Sequence, residues 1–227
     1  LILNIEGKKL SKRDCVTSID EFRDMGYLPE ALANYMAFLG WSPKSAESEI
    51  LSLDEISKTF DLSDINKAGA KFSWDKLNWI NSQYIKNMES VKLSEVICKY
   101  WDIMGWSPPS QEWAIKLVSL IKDSMTLLKD AIDQSKPFFL VPPIQKDGQD
   151  FLENKDSKAS LKLIFDYLIE QKTAKLEKGK AKEIINEISK IHNVKKGILM
   201  KSLRVAFFGS LSGPDLIQSW ELFSENK

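Results

Sequence analysis

Helix start and stop signals recur along this sequence and constrain its fold more than any other feature. Ser18 and Ser52 each stand three residues before a glutamate, Glu21 and Glu55, and this capping-box spacing satisfies the first free backbone N–H groups of a helix. Gly26 follows the first of these segments and supplies the left-handed exit that ends many helices. Alternating apolar and polar residues, which are typical of strands, nearly vanish after the first few positions. The pattern predicts an all-α fold.

The expected helices lie on either side of a proline-rich segment. Residues 134–156 hold three of the eight prolines, which predicts a joint between domains nearby. Before this joint, the residues from 113 to 132 form one long amphipathic run. Caps and apolar spacing predict further helices at about 18–25, 29–40, 157–176, 179–192, 195–208 and 214–223.

The composition excludes several kinds of site. His192 is the only histidine and Cys15 and Cys98 are the only cysteines, so no histidine-based triad, multi-histidine metal site or disulfide framework can form within the chain. The glycine spacings of phosphate-binding loops are also absent. We therefore predict no catalytic residue and no metal site in this chain. The cysteine usage is that of a protein from a reducing cytoplasm.

The formal net charge is zero, but the charges are segregated along the chain. Residues 155–204 carry 13 Lys or Arg against 6 Asp or Glu, and residues 13–154 carry 15 against 22. A basic segment can attract a polyanion such as nucleic acid, although lysine-rich helices are often only solvated faces. The candidate phosphate contacts are Lys180, Lys182, Lys195, Lys196, Lys201 and Arg204. Gly197 lies on the helical face of the last two and would leave room for an RNA backbone.

A second basic cluster lies near the start, in GKKLSKRD at residues 7–14. Lys9, Ser11 and Lys12 on a glycine-flexed loop can present two ammonium groups and a hydroxyl to a triphosphate. From composition alone, a lysine-rich surface hairpin is the favoured explanation of the cluster.

Three segments in this order resemble glutamyl-tRNA synthetases, a family of class I aminoacyl-tRNA synthetases. The sequence KLSKR at residues 9–13 is similar to the family's ATP loop, and residues 72–81 with Tyr84 are similar to its tRNA stem-contact segment. The run LRVAFFG at residues 203–209, followed by Gly213 and Pro214, is similar to its C-terminal signature.

The resemblance implies a function for the whole enzyme. ATP and Mg²⁺ would convert glutamate to an adenylate, which the 3′ end of the tRNA then attacks. The residues of the loop that would contact ATP are Lys9, Leu10, Ser11, Lys12 and Arg13. The chain lacks the family's His-Ile-Gly-His motif and begins without methionine. We therefore expect a C-terminal part of a cytoplasmic, monomeric enzyme that binds tRNA but, alone, is inactive and holds no cofactor.

The same resemblance divides the chain into three parts. Residues 1–17 would end the catalytic domain as a short strand and the ATP loop. Residues 18–134 would form a helical stem-contact region, and residues 135–227 a helical anticodon-binding domain.

Two positions depart from the family pattern. Asp14 and Cys15 stand where a His-Gly pair commonly follows the loop, which changes the loop's charge and removes a flexible glycine. Ser124 aligns with an arginine that reads the last anticodon base in members charging only the glutamate tRNA. A serine cannot supply the donors of a guanidinium group. We expect a non-discriminating enzyme that also charges the glutamine tRNA.

Two alternatives remain at this point. The chain could be a non-catalytic helical adaptor that binds a protein partner, with an incidental lysine cluster. Glutaminyl-tRNA synthetases are a nearer alternative, but their anticodon domains are β-barrels, and this chain lacks the alternating strands that those barrels require.

Overall fold

The computed structural model describes residues 2–4, 6–9, 18–42, 49–171, 176–177 and 179–225. Twelve α-helices form within these ranges, which confirms the predicted all-α class. In chain order they are α1 (Ile19–Met25), α2 (Pro29–Phe38), α3 (Leu53–Thr59), α4 (Trp74–Asn87), α5 (Ser90–Ile103), α6 (Gln111–Ile121), α7 (Asp130–Phe139), α8 (Lys146–Leu152), α9 (Lys155–Glu170), α10 (Lys180–His192), α11 (Lys196–Phe208) and α12 (Leu216–Glu225).

The described strands are two short pieces at the start of the chain and before α4. Strand β1 (Ile2–Leu3) pairs in parallel with β2 (Ala70–Lys71). After β1 the chain turns at Gly7, whose φ of +82° suits a residue without a side chain. The predicted short strand and turn at the amino end are therefore present.

The capping boxes form as the serine–glutamate spacing predicts. The backbone N–H of Glu21 donates to Ser18 Oγ at 3.1 Å, and the backbone N–H of Ser18 donates to the Glu21 carboxylate at 3.0 Å. Ser52 and Glu55 make the same exchange at the start of α3. The hydrogen bonds from Ser52 lower the pKa of the Glu55 carboxyl group. Both boxes satisfy N–H groups that a helix leaves free at its first turn.

The amphipathic run at 113–132 is divided between two helices in the structure. Helix α6 ends at Ile121, and a 3₁₀ turn at Lys122–Ser124 follows. Asp130, the first residue of α7, accepts hydrogen bonds from the backbone N–H groups of Thr126 and Leu127 at 2.9 and 2.8 Å. The run breaks because this carboxylate stabilises a turn inside an otherwise amphipathic sequence.

The chain forms two compact units. Unit 1 comprises Leu1–Ile97 and Lys122–Ala131, and unit 2 comprises Cys98–Ile121 and Ile132–Lys227. Each unit therefore contains two separate stretches of the chain, and α5 and α7 each contribute to both. The functional boundaries expected at 17/18 and 134/135 stay a prediction.

Each unit has its own apolar core. In unit 1, Leu77, Ile80 and Ile85 of α4 are fully buried. In unit 2, Trp101 and Trp113 are buried, and their indole N–H groups donate to Ser135 Oγ and to the Leu222 carbonyl, each at 3.0 Å. Buried tryptophans satisfied in this way are structural anchors. Among the described helices, none has the length and apolar character needed to cross a bilayer.

Candidate nucleic-acid interface

Helices α10 and α11 of unit 2 carry the cations that the sequence analysis singled out. Ala181, Ile184 and Ile188 of α10 are buried. Lys180 and Lys182, on either side of Ala181, face solvent. Helix α10 is therefore anchored by its apolar face and presents an exposed basic face to solvent.

One of these two lysines already has an acidic partner. Lys180 Nζ lies 3.0 Å from the Glu183 carboxylate, one turn along the helix. This hydrogen bond raises the pKa of Lys180. No such partner is present for Lys182 among the residues that the structure describes. Lys182 is therefore the more available of the two for an external anion.

The turn between α10 and α11 brings further cations to the surface. Asn193 ends α10 in the left-handed conformation with φ of 51°, which asparagine tolerates better than most residues. Lys195 occupies the N-cap position of α11 and Lys196 is its first residue, and both side chains are exposed. Lys201 is exposed one turn further along.

Arg204 has a structural contact that sequence patterning missed. Its Nη1 donates to the carbonyl oxygens of Gly213 and Pro214 at 2.8 and 3.0 Å. The side chain is half-buried and holds the turn that leads into α12. By contrast, the position that a Cβ at Gly197 would occupy has no atom within 4 Å. The surface beside Gly197 is open, as the sequence analysis expected.

Ser124 lies in a different compact unit from the six predicted phosphate contacts. It is the last residue of the 3₁₀ turn Lys122–Ser124 and its side chain is exposed. The neighbouring Lys122 fastens this turn by donating from Nζ to the Met88 carbonyl at 3.2 Å. Ser124 is accessible to solvent on an anchored turn of unit 1.

The ATP loop is only partly described. Lys9 is exposed and bridges Leu3 in an antiparallel pair. The preceding turn closes with the Asn4 N–H donating to the Lys8 carbonyl at 2.8 Å, and with a Lys8–Glu6 ion pair at 3.1 Å. The other four predicted loop residues, Leu10, Ser11, Lys12 and Arg13, lie outside the described residues.

Residues 72–81 and Tyr84, which resemble the family's stem-contact segment, mainly stabilise the fold of unit 1. Asn81 is fully buried; its Oδ1 accepts from the Leu28 N–H at 2.9 Å and its Nδ2 donates to the Thr126 carbonyl at 2.6 Å. The Tyr84 hydroxyl donates to the Leu51 carbonyl at 2.6 Å. These two polar residues join α4 to three other segments of unit 1. Trp79, on the same helix, is 42% exposed and remains accessible to a ligand.

The C-terminal signature also has a structural explanation. Gly209 ends α11 with φ of +69°, and a Cβ there would lie 2.2 Å from the Pro143 carbonyl oxygen. Asp147 of α8 accepts hydrogen bonds from Leu211 N–H and Ser210 Oγ at 2.8 and 2.7 Å. These bonds lower the pKa of its carboxyl group. The signature thus packs the end of α11 against α8.

The described groups suit binding better than covalent chemistry. Burial raises the pKa of the Cys98 thiol, which disfavours the reactive thiolate. No group of histidine, cysteine, aspartate and glutamate side chains within the described residues could hold a metal ion. Exposed lysines on anchored helices can contact phosphates without reading sequence.

Two family models of known proteins match successive parts of the chain. The family model for the anticodon binding domain matches residues 89–227. The model for the catalytic domain of class I tRNA synthetases (E and Q) matches residues 1–79. The first of these covers more than half of the chain.

Individual relatives carry consistent names. Glutamate–tRNA ligases from Prochlorococcus marinus strains MIT 9312 and MIT 9215 are 87% and 84% identical over all 227 residues, which span 47% of either relative. The solved glutamate–tRNA ligase of Elizabethkingia meningosepticum CCUG26117, in complex with its amino acid, matches with a TM-score of 0.85 at 32% identity, over all of this chain and 48% of that one. The resemblance predicted from the sequence is confirmed, and the chain spans about half the length of these relatives.

Proposed function

Because the chain belongs to the glutamyl-tRNA synthetase family, with an anticodon binding domain over residues 89–227, we propose that it is the tRNA-binding part of a glutamate–tRNA ligase. The main support for this proposal is that four lysines within the matched domain are exposed: Lys182, Lys195, Lys196 and Lys201. Their ammonium groups would neutralise tRNA phosphates, and release of counterions would favour binding.

In the intact enzyme, glutamate and ATP would form glutamyl-adenylate and pyrophosphate, with Mg²⁺ present. A ribose hydroxyl at the tRNA 3′ end would then attack the activated carbonyl carbon and displace AMP. Lys9 and the four loop residues after it would contact ATP, as the family resemblance implies. We assign this chain no catalytic residue, and we place the intact enzyme in the cytoplasm as a monomer.

Binding of transcribed glutamate tRNA to the 227-residue chain tests the main assignment. We expect the affinity for this tRNA to exceed that for an unrelated tRNA and to fall steeply with salt. Replacing Lys182, Lys195, Lys196 and Lys201 together by glutamine should reduce the slope of log K against log[salt] by about 3, at roughly 0.7 to 0.9 per lost phosphate contact.

A matched variant removes the same number of charges from exposed lysines elsewhere, Lys58, Lys67, Lys92 and Lys129. This variant should keep most of the salt dependence. Equal binding of all tRNAs and a protein partner recovered through α10 and α11 would instead favour the adaptor alternative.

The isolated chain should also be unable to activate glutamate. We expect no glutamate-dependent exchange of label between pyrophosphate and ATP above the level without enzyme. Detectable exchange by the purified chain would refute this part of the proposal. The tRNA-binding measurement would be unaffected by that result.

Ser124 supports the further proposal that the intact enzyme also charges the glutamine tRNA. Its exposed hydroxyl on the turn Lys122–Ser124 lacks the charge and the extra donors of an arginine. The intact enzyme should charge both tRNAs, and Ser124→Arg should reduce charging of the glutamine tRNA selectively. A native enzyme that rejects the glutamine tRNA a thousandfold would contradict the proposal.

A further inference from the structure

Helix α9 presents a surface that the six predicted phosphate contacts do not include. Its Ser157, Ser160 and Ile164 are buried, and Ser202 Oγ of α11 donates to the Ser157 carbonyl at 3.1 Å. The opposite side of α9 faces solvent. The helix is therefore fixed along one side and free to contact a ligand along the other.

Three lysines lie along one edge of the solvent-facing side of α9. Successive residues turn by about 100° around a helix, so positions spaced by three or four residues share an edge. One edge carries the residues that we name the α9 stripe: Lys155, Lys158, Lys162, Phe165 and Ile169. The acidic residues Asp156 and Glu170 lie on the other edge, and Asp166, four residues after Lys162, lies between the two edges.

The three lysines of the α9 stripe are exposed and available. None of them makes an ion pair or hydrogen bond with another residue in the described part of the chain. Their spacings of three and four residues correspond to rises of about 4.5 and 6 Å along the helix. Each ammonium group can therefore meet a separate charge of a linear polyanion.

The apolar end of the stripe narrows the choice of polyanion. Phe165 is 61% exposed and Ile169 is 59% exposed, so both side chains present apolar surface to a ligand that contacts the three lysines. An exposed aromatic ring beside lysines is suited to a strand whose bases are unstacked, because each base offers a flat face to stack on. A paired duplex keeps its bases inside the stack and would leave Phe165 uncovered.

We propose that the α9 stripe binds a single-stranded segment of RNA, with Lys155, Lys158 and Lys162 on successive phosphates and an unpaired base on Phe165. The stripe extends about 21 Å over the 14 residue-to-residue steps from Lys155 to Ile169, which is long enough for several nucleotides. It is a separate contact surface from the cations of α10 and α11.

The position of α9 is consistent with this assignment. The Tyr167 hydroxyl on α9 is hydrogen-bonded to the Glu187 carboxylate on α10, so α9 is joined to the helix that carries Lys182. Both helices lie in unit 2 and within the matched anticodon binding domain. The proposal rests on the tRNA-binding function only in taking RNA as the polyanion.

The first test uses the 227-residue chain and two probes, the glutamate tRNA and a 12-nucleotide oligouridylate without secondary structure. The variant Lys155→Gln/Lys158→Gln/Lys162→Gln should lower the salt slope for oligouridylate by about 2, at roughly 0.7 per contact on a single strand. The matched variant Lys92→Gln/Lys99→Gln/Lys129→Gln, which removes three other exposed lysines, should leave the slope unchanged.

The second test separates base stacking from general apolar contact. Phe165→Leu keeps an apolar side chain but removes the ring, and should weaken oligouridylate binding about 5- to 100-fold. Phe165→Trp should restore it. Because Phe165 is exposed, neither change should alter the fold, and circular dichroism of each variant checks this.

The outcomes distinguish this proposal from the main one. Unchanged oligouridylate binding in both the lysine variant and Phe165→Leu would overturn the stripe, even if the chain binds tRNA. Loss of oligouridylate binding with no preference for glutamate tRNA would support the stripe and contradict the tRNA assignment. Equal binding by Phe165→Leu and Phe165→Trp, with affinity instead for a protein, would show that the stripe is a protein contact.

Discussion

At the scale of single residues, Asn81 is a fully buried polar side chain of unit 1. Replacing it by alanine removes its two hydrogen bonds and leaves the Leu28 N–H and the Thr126 carbonyl without this partner. Urea unfolding of Asn81→Ala should show a loss of about 2–4 kcal/mol in the free energy of unfolding. Asn87→Ala, at an exposed position of the same helix, should change it by less than about 0.5 kcal/mol. Equal losses would contradict the role of Asn81.

Asp147 should make stability depend on pH. Its folded-state pKa is lowered by hydrogen bonds from Leu211 and Ser210, so its contribution is present above the unfolded pKa of about 3.9 and is lost as pH falls through the folded pKa. Thermal melts of Asp147→Asn and the native chain should therefore differ at pH 7 and converge in acid. A constant gap down to pH 2 would contradict this account.

The role of a single residue could be predicted from the sequence where its hydrogen-bond partner lies only a few residues away. Ser18 and Ser52 could be identified as caps because each partner glutamate is three residues away. Arg204 could not be assigned to Gly213 and Pro214, because an exposed helical arginine has the same sequence pattern whether it holds a turn or faces a phosphate. The buried role of Asn81 depends on Leu28 and Thr126, which are far away in sequence.

At the scale of elements, the end of α11 packs closely against α8 and the segment before it at two glycines. A Cβ at Gly148 would lie 2.7 Å from the Gly209 carbonyl oxygen, and one at Gly209 would lie 2.2 Å from the Pro143 carbonyl oxygen. Both distances are shorter than ordinary contacts with backbone oxygen, so the two elements depend on glycine for their approach.

This contact can be tested by a pair of glycine substitutions on α11. Gly209→Ala combines a positive φ with a clash and should lower the free energy of unfolding by about 2–4 kcal/mol. Gly197→Ala meets no atom within 4 Å and lies inside the helix, where alanine is favoured by up to about 1 kcal/mol. Chemical unfolding should move in opposite directions for the two variants. Destabilisation by both would mean that helix α11 is packed differently.

Element boundaries were predicted well where glycine or a cap marks them and poorly elsewhere. Helices α10 and α11 were expected at 179–192 and 195–208 and are found at Lys180–His192 and Lys196–Phe208. The amphipathic run at 113–132 gave no sign of the break between α6 and α7, because its apolar periodicity continues across the turn. The signal for the break, the Asp130 carboxylate accepting from Thr126 and Leu127, cannot be distinguished in sequence from any other aspartate.

At the scale of the whole molecule, the fold class could be read from the sequence, but the grouping of its helices could not. The division into compact units combines residues 122–131 with the first 97 residues, through contacts such as the Leu128 N–H with the Gly26 carbonyl at 2.9 Å. Ser124 therefore belongs to unit 1, whereas the candidate phosphate contacts belong to unit 2. Proximity along the chain alone would have grouped them differently.

We propose above all that α10 and α11 bind the anticodon arm of a glutamate tRNA. Hydroxyl-radical footprinting of the glutamate tRNA with the 227-residue chain tests it most directly, because cleavage reports the backbone position of every contact. Protection should concentrate in the anticodon stem and loop and disappear in the Lys182/Lys195/Lys196/Lys201 variant. Uniform cleavage at saturating protein, or protection confined to the acceptor end, would contradict it.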